Sequence, residues 1–225
     1  MSAVTYDVTY AETRNRLTSA FRYLLAFPHL IVLGVWGYVA ELLAFLQWFV
    51  ILFTGRRNEG MWSFQRSYLG YNTRVTSYVS LAFDEPYPNF GSLWRGEPVA
   101  FDLGYEAEAN RLTNALRLIW MIPALFIAIF LGIAQGVVLF VSWLVIIVTG
   151  RQPRGMFDFI ARVNRFSFDL SAYGLLMTDV YPWYEGSAPT GVLTPGDGGH
   201  RPSFGPSGTV VGGAPLPPPS GPPAG

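Results

Sequence analysis

Asn15-Arg16-Leu17-Thr18 returns 95 residues later as Asn110-Arg111-Leu112-Thr113, and this recurrence reveals an internal repeat. With the same shift, residues 4–85 align on residues 99–180 without a gap, and 25 of the 82 aligned positions are identical. A repeat of this length indicates two copies of one structural unit. The boundaries that follow are residues 1–90 and 99–185 for the two units, with a linker at 91–98 and a tail at 186–225.

The composition is that of a membrane protein. Only 13% of the residues are charged, whereas about one quarter is typical of a soluble domain. The chain has no cysteine, which excludes disulfides and thiolate metal sites, and its two histidines cannot form a three-histidine metal site. Its net charge of zero argues against nucleic-acid binding. We therefore expect the lipid bilayer as a partner, and no nucleic acid, metal or cofactor.

Each unit opens with a short alternating run, residues 4–10 in the first and 99–105 in the second. Alternation of apolar and polar residues predicts a half-buried strand. A single strand is not stable alone, so we expect these two strands to pair with each other, antiparallel, in a small cytoplasmic sheet.

A long apolar block follows each strand, at residues 17–54 and 112–149. One helix over 38 residues would be about 57 Å long, while the hydrocarbon core of a bilayer is about 30 Å thick. Arginines flank both ends of both blocks, and arginine prefers the cytoplasmic side. These observations favour a helical hairpin in each block, turning near residues 34–37 and near Gly132. The prediction is a mainly α, multi-pass protein with four spans and both termini cytoplasmic.

The end of each unit is amphipathic, with apolar residues at helical spacing in two stripes: Met61, Phe64, Tyr68, Tyr71, Val75, Tyr78 and Ala82, then Met156, Phe159, Val163, Phe166, Leu170, Tyr173 and Met177. Such a helix suits a membrane–water interface, or its stripe packs on the bundle as core. The tail is rich in glycine and proline, which predicts disorder. It is a spacer or a docking segment.

The motifs shared by the two units resemble a known family. They are Asn15-Arg16-Leu17-Thr18, Pro28-His29-Leu30 and Thr54-Gly55-Arg56 in the first unit, with Gly150-Arg151-Gln152-Pro153-Arg154-Gly155 and Thr178-Asp179-Val180-Tyr181-Pro182 in the second. They resemble the domain of unknown function 4389, a family of bacterial membrane proteins common in actinobacteria, here as two tandem copies. The resemblance implies no activity, substrate or catalytic residue. The second unit has Pro123-Ala124-Leu125 where the family has Pro-His-Leu, so any role of His29 is not shared.

Polar residues inside the apolar blocks are candidate functional residues, because ionisable groups are costly in hydrocarbon. Glu41 is the clearest case, as a proton or cation site with Gln47 or Gln135 nearby. Alternatively, Glu41 lies in water near the turn of its hairpin. His29 is a lone histidine on an apolar helix, which is more often structural than a ligand.

Arginines form the second group of candidates. Arg22 and Arg117 occur at equivalent positions, where they contact lipid headgroups or form ion pairs with Asp7 and Asp102. Arg56 and Arg151 follow a Thr-Gly pair that reads as a helix end, with glycine as the cap and arginine near the headgroups.

No pattern of catalytic residues is present in the sequence, so we do not expect an enzyme. The first functional hypothesis is a non-catalytic component that binds a protein partner or supports an envelope assembly, through its cytoplasmic face or its Pro-rich tail. The alternative is a protein that binds or transports a lipid or small molecule at the seam between the repeats.

Overall fold

The computed structural model describes residues 3–91 and 98–184, and the backbone of two short strands further on. In order, its elements are β1 (Thr5–Val8), α1 (Arg16–Ala20), α2 (Arg22–Thr54), α3 (Glu59–Val79), β2 (Val99–Asp102), α4 (Arg111–Thr149), α5 (Arg154–Gly174), β3 (Ser203–Phe204) and β4 (Val210–Val211). The described part of the chain is therefore mainly helical, with each unit built as strand, long helix and shorter helix.

Neither apolar block turns back on itself, since the first forms the short α1 followed by α2 and the second forms α4, so the prediction of a hairpin in each block is wrong. α2 has 33 residues and α4 has 39, and both continue through the glycines at which a turn was expected. Glycine lowers the stability of a helix by only about 1 kcal/mol, and the apolar neighbours on both sides favour its continuation. The described residues thus contain two helices long and apolar enough to cross a membrane, by length and composition, rather than four.

The recurring motifs mark the ends of the long helices. Asn15 is the N-cap of α1, the short helix directly before α2, and Asn110 is the N-cap of α4. Each asparagine side chain accepts hydrogen bonds from the backbone N–H groups two and three residues later. Gly55 and Gly150 end α2 and α4 with φ of 71° and 72°. Only glycine adopts this left-handed conformation at little cost, which confirms the predicted helix ends.

β1 and β2 pair antiparallel, as predicted from their alternation. Thr5 lies opposite Asp102, and Asp7 lies opposite Ala100. With the shift of 95 residues these two pairs are equivalent, so a local two-fold axis passes through the centre of this sheet.

α3 and α5 separate the sheet from the long helices. One face of α3 meets the sheet, where the Ser77 hydroxyl lies 3.0 Å from the Tyr6 hydroxyl. About a third of a turn around the helix, the face of α3 that carries its apolar stripe meets α2, where the Tyr71 hydroxyl lies 2.6 Å from Nδ1 of His29. Both faces of α3 are occupied, so its stripe packs as core. The buried core runs through all three layers.

The two units contact each other at the ends of their long helices. The backbone N–H of Arg14 donates to the carbonyl of Gly150 at 2.9 Å, and that of Ala109, its equivalent, donates to the carbonyl of Gly55 at 3.0 Å. The start of each long helix therefore lies beside the end of the other, and α2 and α4 run in opposite directions.

Two predicted regions lie wholly or mostly outside the described residues. Residues 92–97, most of the linker, are one. The tail is the other, and there the structure describes only β3 and β4, which pair antiparallel. The predicted disorder of residues 186–225 stays a prediction.

Candidate membrane interface

The exposed surface of α2 and α4 is almost entirely apolar. Of the 39 large hydrophobic side chains that are exposed in the described residues, 34 lie within residues 16–54 and 111–149. Most of the surface of both long helices is exposed, because few of their residues are buried. Tyr38 and Phe130, at the outer sides of α2 and α4, are 77% and 71% exposed. A patch of this extent on a single chain marks an interaction surface.

Arg22 joins the start of α2 to the end of α3. Its guanidinium is 1% exposed and donates to the carbonyls of Tyr78 and Phe83 and to the Asp84 carboxylate. Asp84 also accepts a hydrogen bond from the backbone N–H of Asn15 at 3.0 Å. Arg22 thus forms a buried structural ion pair, and its partner is Asp84 rather than Asp7.

Arg117 repeats this arrangement in the second unit. It donates to the carbonyls of Tyr173 and Thr178 and to the carboxylate of Asp179 at 2.6 Å. Asp179 has a second cation, since Arg57 lies 2.7 Å from the same oxygen. Asp102, the predicted partner of Arg117, pairs with Arg66 instead, at 2.7 Å. The Arg22–Asp84 pair and the Arg117–Asp179 pair each join two residues of the same unit that are 62 positions apart in the sequence.

Arg14 and Arg57, both of the first unit, each donate to a backbone carbonyl just after one of the shorter helices. Arg14 donates to the carbonyl of Ala82 at 3.0 Å, just after α3, and Arg57 donates to the carbonyl of Leu176 at 2.8 Å, just after α5. The equivalent of Arg14 is Ala109 and that of Arg57 is Gln152, so the first unit supplies the arginine at both junctions. Burial lowers the pKa of Arg14 to about 10, and it remains charged at neutral pH.

Exposed arginines surround the ends of the long helices. They are Arg16, Arg56, Arg111 and Arg151. A Cβ built on Gly55 would lie 3.0 Å from Nε of Arg111, and one on Gly150 would lie 3.1 Å from Nε of Arg16. A cation beside a helix C-terminus is favourable, so each unit stabilises the end of the other unit's long helix.

Asp7 has no ion-pair partner within 4 Å among the described residues. Burial raises its pKa, against the weaker opposing effect of a hydrogen bond from the Val8 backbone and the charge of Arg165. The structure therefore separates the two predicted aspartates, since Asp102 has an arginine partner and Asp7 lies half-buried with one oxygen unsatisfied.

The four candidate polar residues of the apolar blocks do not converge. Glu41 is exposed on the flank of α2, near Tyr68. Gln47 is buried without a hydrogen-bond partner among the described residues, whereas Gln135 donates to Asn164 on α5 at 2.7 Å. His29 is buried against Tyr71 and stacks on Phe90 with ring centroids 4.1 Å apart.

A cavity of about 330 Å³ lies at the seam between the two units. The start of α2, the end of α3 and the second half of α4 line it, with Tyr23, Val79, Gly136, Phe140 and Trp143 among the residues. Its wall is mostly apolar. Within the described residues, no group of three or more histidine, aspartate or glutamate side chains could hold a metal ion.

The residues that the sequence analysis missed are Asp84, Asp179 and Arg57. A signal for the aspartates existed, because both recur with the shift of 95 residues, as Arg22 and Arg117 do. Arg57 gave no such signal, since its equivalent is Gln152.

Comparison with known proteins identifies one family. The sequence model of a domain of unknown function (DUF4389) matches the chain twice, at residues 16–90 and 111–185, which together make up two thirds of its length. The matched segments begin at Arg16 and Arg111, the residues that directly follow the caps Asn15 and Asn110. No curated protein and no solved structure matches the chain.

Proposed function

We propose a membrane-bound, non-catalytic function for this chain, which belongs to the DUF4389 family and carries two copies of its domain. The observation that carries the proposal is the concentration of 32 exposed large hydrophobic side chains on the long helices α2 and α4. Water contact of such a surface would be strongly unfavourable, because each fully exposed large apolar side chain forgoes about 1.5–3 kcal/mol. Lipid hydrocarbon removes that cost.

Both termini are proposed to lie on the cytoplasmic side. Arg16, Arg56, Arg111 and Arg151 surround both ends of both long helices, and arginine is enriched at the cytoplasmic face of membranes. The buried ion pairs of Arg22 and Arg117 support a structural role, because their donors are taken up by carbonyls and carboxylates of the same chain.

Membrane attachment is tested by fractionation of the full chain. We expect it to sediment with membranes, to resist a high-salt wash, and to be released by detergent. Replacement of Tyr38 and Phe130 by aspartate should release a large fraction, whereas Trp183→Asp should not, because Trp183 is exposed outside the long helices. A wild-type chain that stays in the soluble fraction would contradict the proposal.

The partner is proposed to be a protein of the cell envelope, bound through the cytoplasmic side or through the Pro-rich tail. Affinity capture from mild detergent tests this, with the full chain compared with a chain that ends at residue 185. A partner kept by the full chain and lost on truncation assigns binding to the tail. A partner kept by both assigns it to the folded part, and reproducible capture of none counts against a partner-binding role.

The seam cavity favours a second function, the binding of a lipid or small apolar molecule between the repeats. Gly136 lines the cavity, and a Cβ there would meet nothing within 4 Å. Gly136→Phe should therefore fill the cavity and reduce the amount of co-purified lipid measured by native mass spectrometry. Gly132→Phe is the matched control, because Gly132 has similar free space one turn away and does not line the cavity.

A further inference from the structure

We propose that α2 and α4 lie parallel to the membrane plane, immersed in a single leaflet, and that the occupant of their apolar face is the hydrocarbon of that leaflet. This inference rests on the proposed membrane function and adds the orientation of the chain in the bilayer. Four observations on the described residues carry it: the direction of the pseudo-two-fold axis, the length of the helices, the course of α3, and the positions of the arginines.

The direction of the axis follows from the ends of the long helices. Rotation about an axis leaves heights along that axis unchanged, so an axis parallel to α2 and α4 would place their starts at the same level. Instead, the start of each helix lies beside the end of the other, as the bond from Trp143 to the Ser19 carbonyl shows. The axis therefore crosses both helices at a steep angle, and the two helices occupy one layer across it.

The same axis passes through the β1–β2 sheet, so the molecule is stacked along it. The sheet comes first, α3 and α5 come next, and α2 and α4 form the last layer. The exposed apolar side chains of Tyr38 and Phe130 belong to this last layer. Consequently, the molecule has one apolar end, and that end is a layer of two antiparallel helices.

Helix length argues against a crossing. The apolar stretch between Arg22 and Arg56 has 33 residues, which makes it about 50 Å long. To fit a hydrocarbon core of about 30 Å it would need a tilt of about 53°, beyond the usual range of up to about 40°. A helix that lies in the plane has no such limit. Its diameter of about 10 Å fits within one leaflet, whose hydrocarbon is about 15 Å thick.

Because α3 packs along α2, α2 could not cross the bilayer without α3. α3 follows α2 from Arg22, bonded to the carbonyl of Tyr78, to the carbonyl of Ala40, which accepts from Gln65 at 3.2 Å. If α2 crossed the bilayer, α3 would cross with it. The Arg66–Asp102 ion pair, whose side chains are about one quarter exposed, would then face hydrocarbon. Charged groups in that position are very costly, whereas in the proposed orientation they face water.

The arginines give the same answer independently. Arg16 and Arg56 lie beyond opposite ends of the first long helix, and Arg111 and Arg151 beyond opposite ends of the second. A single crossing would divide them equally between the two sides of the membrane. An even number of crossings keeps them together, and because each helix is continuous, that even number is zero.

Site-directed labelling tests the orientation, and the chain suits it because it has no cysteine of its own. The positions are Glu12→Cys and Glu59→Cys, which flank α2, and Ala107→Cys and Gly155→Cys, which flank α4. All four residues are exposed, and a Cβ at Gly155 would meet nothing within 4 Å. Each full-length variant is labelled with a membrane-impermeant maleimide in sealed inverted and right-side-out vesicles.

We expect all four cysteines to react in one vesicle orientation and to be protected at least tenfold in the other. Reaction of Glu12→Cys and Glu59→Cys from opposite sides would overturn the in-plane orientation and leave the membrane function intact. Absence of the chain from the vesicles would overturn the membrane function itself. Efficient disulfide cross-linking of Tyr38→Cys between two chains in the membrane would show that a second copy, not lipid, covers the apolar face.

Discussion

Trp48 and Asn114 exchange two hydrogen bonds across the seam between the repeats. The indole N–H of Trp48 donates to the carbonyl of Asn114, and the amide of Asn114 donates to the carbonyl of Trp48, both at 3.0 Å. The equivalent pair is Trp143 and Ser19, where the indole N–H donates to the carbonyl at 3.1 Å. These bonds fix the start of one long helix against the end of the other, and the arrangement of the apolar layer depends on them.

Loss of either indole bond should therefore have a similar effect. We expect Trp48→Phe and Trp143→Phe each to lower the free energy of unfolding by about 1 kcal/mol, the usual net value of a hydrogen bond. Trp120→Phe is the control, because Trp120 is 55% exposed on α4. The measurement is thermal unfolding in detergent. A loss at only one of the two tryptophans would contradict the two-fold arrangement.

Asp84 is the counter-charge of a buried arginine, so its neutralisation should be costly. Asp84→Asn leaves Arg22, 1% exposed, without a negative partner, and we expect a loss of about 3–5 kcal/mol. Asp158→Asn is the matched control, because its partner Arg154 is 50% exposed at 3.8 Å and such pairs contribute about 0–1 kcal/mol. Chemical denaturation of both variants measures the difference. Equal losses would show that Arg22 is not held by Asp84.

The left-handed cap at Gly55 makes a further prediction. Alanine there has an unfavourable φ of 71° and a Cβ 3.0 Å from Arg111, so Gly55→Ala should destabilise by about 1–3 kcal/mol. Gly34→Ala should instead be neutral or stabilising by up to about 1 kcal/mol, because Gly34 is helical and a Cβ would meet nothing within 4 Å. A tolerant Gly55 in melting experiments would mean that α2 does not end there.

Asp7 should make stability depend on pH. Because burial raises its pKa in the folded state, its contribution is fully present below the unfolded pKa of about 3.9. The contribution is lost as the pH rises through the folded pKa. Asp7→Asn should therefore raise the melting temperature at neutral pH and flatten its decline above about pH 4. Asp102→Asn, at the equivalent position but paired with Arg66 at 2.7 Å, should give no such gain. A drop in melting temperature for Asp7→Asn at neutral pH would indicate a charged partner.

The sequence predicted those features that follow from repetition and local pattern. The repeat, the pairing of β1 with β2, and the helix ends at Gly55 and Gly150 are examples, and the structure confirms each of them. Alternation and glycine after threonine act within a few residues, so they can be recognised in the sequence without tertiary contacts.

The number of helices in each apolar block could not be predicted from local patterns. Arginines at both ends favour an even number of crossings, and a hairpin satisfies that condition as well as a helix that lies in the plane. Glycine at 34, 37 and 132 is compatible with a turn and with a helix. The continuity of α2 and α4 excludes the hairpin, and the packing of α3 along α2, on which the proposed orientation rests, depends on the tertiary structure.

The partners of Arg22 and Arg117 were missed for a related reason. Asp84 and Asp179 lie 62 residues further along the chain, after the end of the shorter helix. Asp7 and Asp102 were nearer and lay on predicted strands. Only the antiparallel packing of α3 on α2 brings residue 84 back to residue 22.

Quenching by spin-labelled lipid measures directly whether the long helices contact lipid. A fluorophore is attached to a single cysteine at Tyr38, Phe130 or Thr5, which are exposed on α2, on α4 and on the sheet. Each variant is reconstituted in vesicles whose lipids carry the quencher in the acyl chain. We expect strong and similar quenching at Tyr38 and Phe130 and none at Thr5. Unquenched probes at both helices, or equal quenching at all three positions, would contradict it.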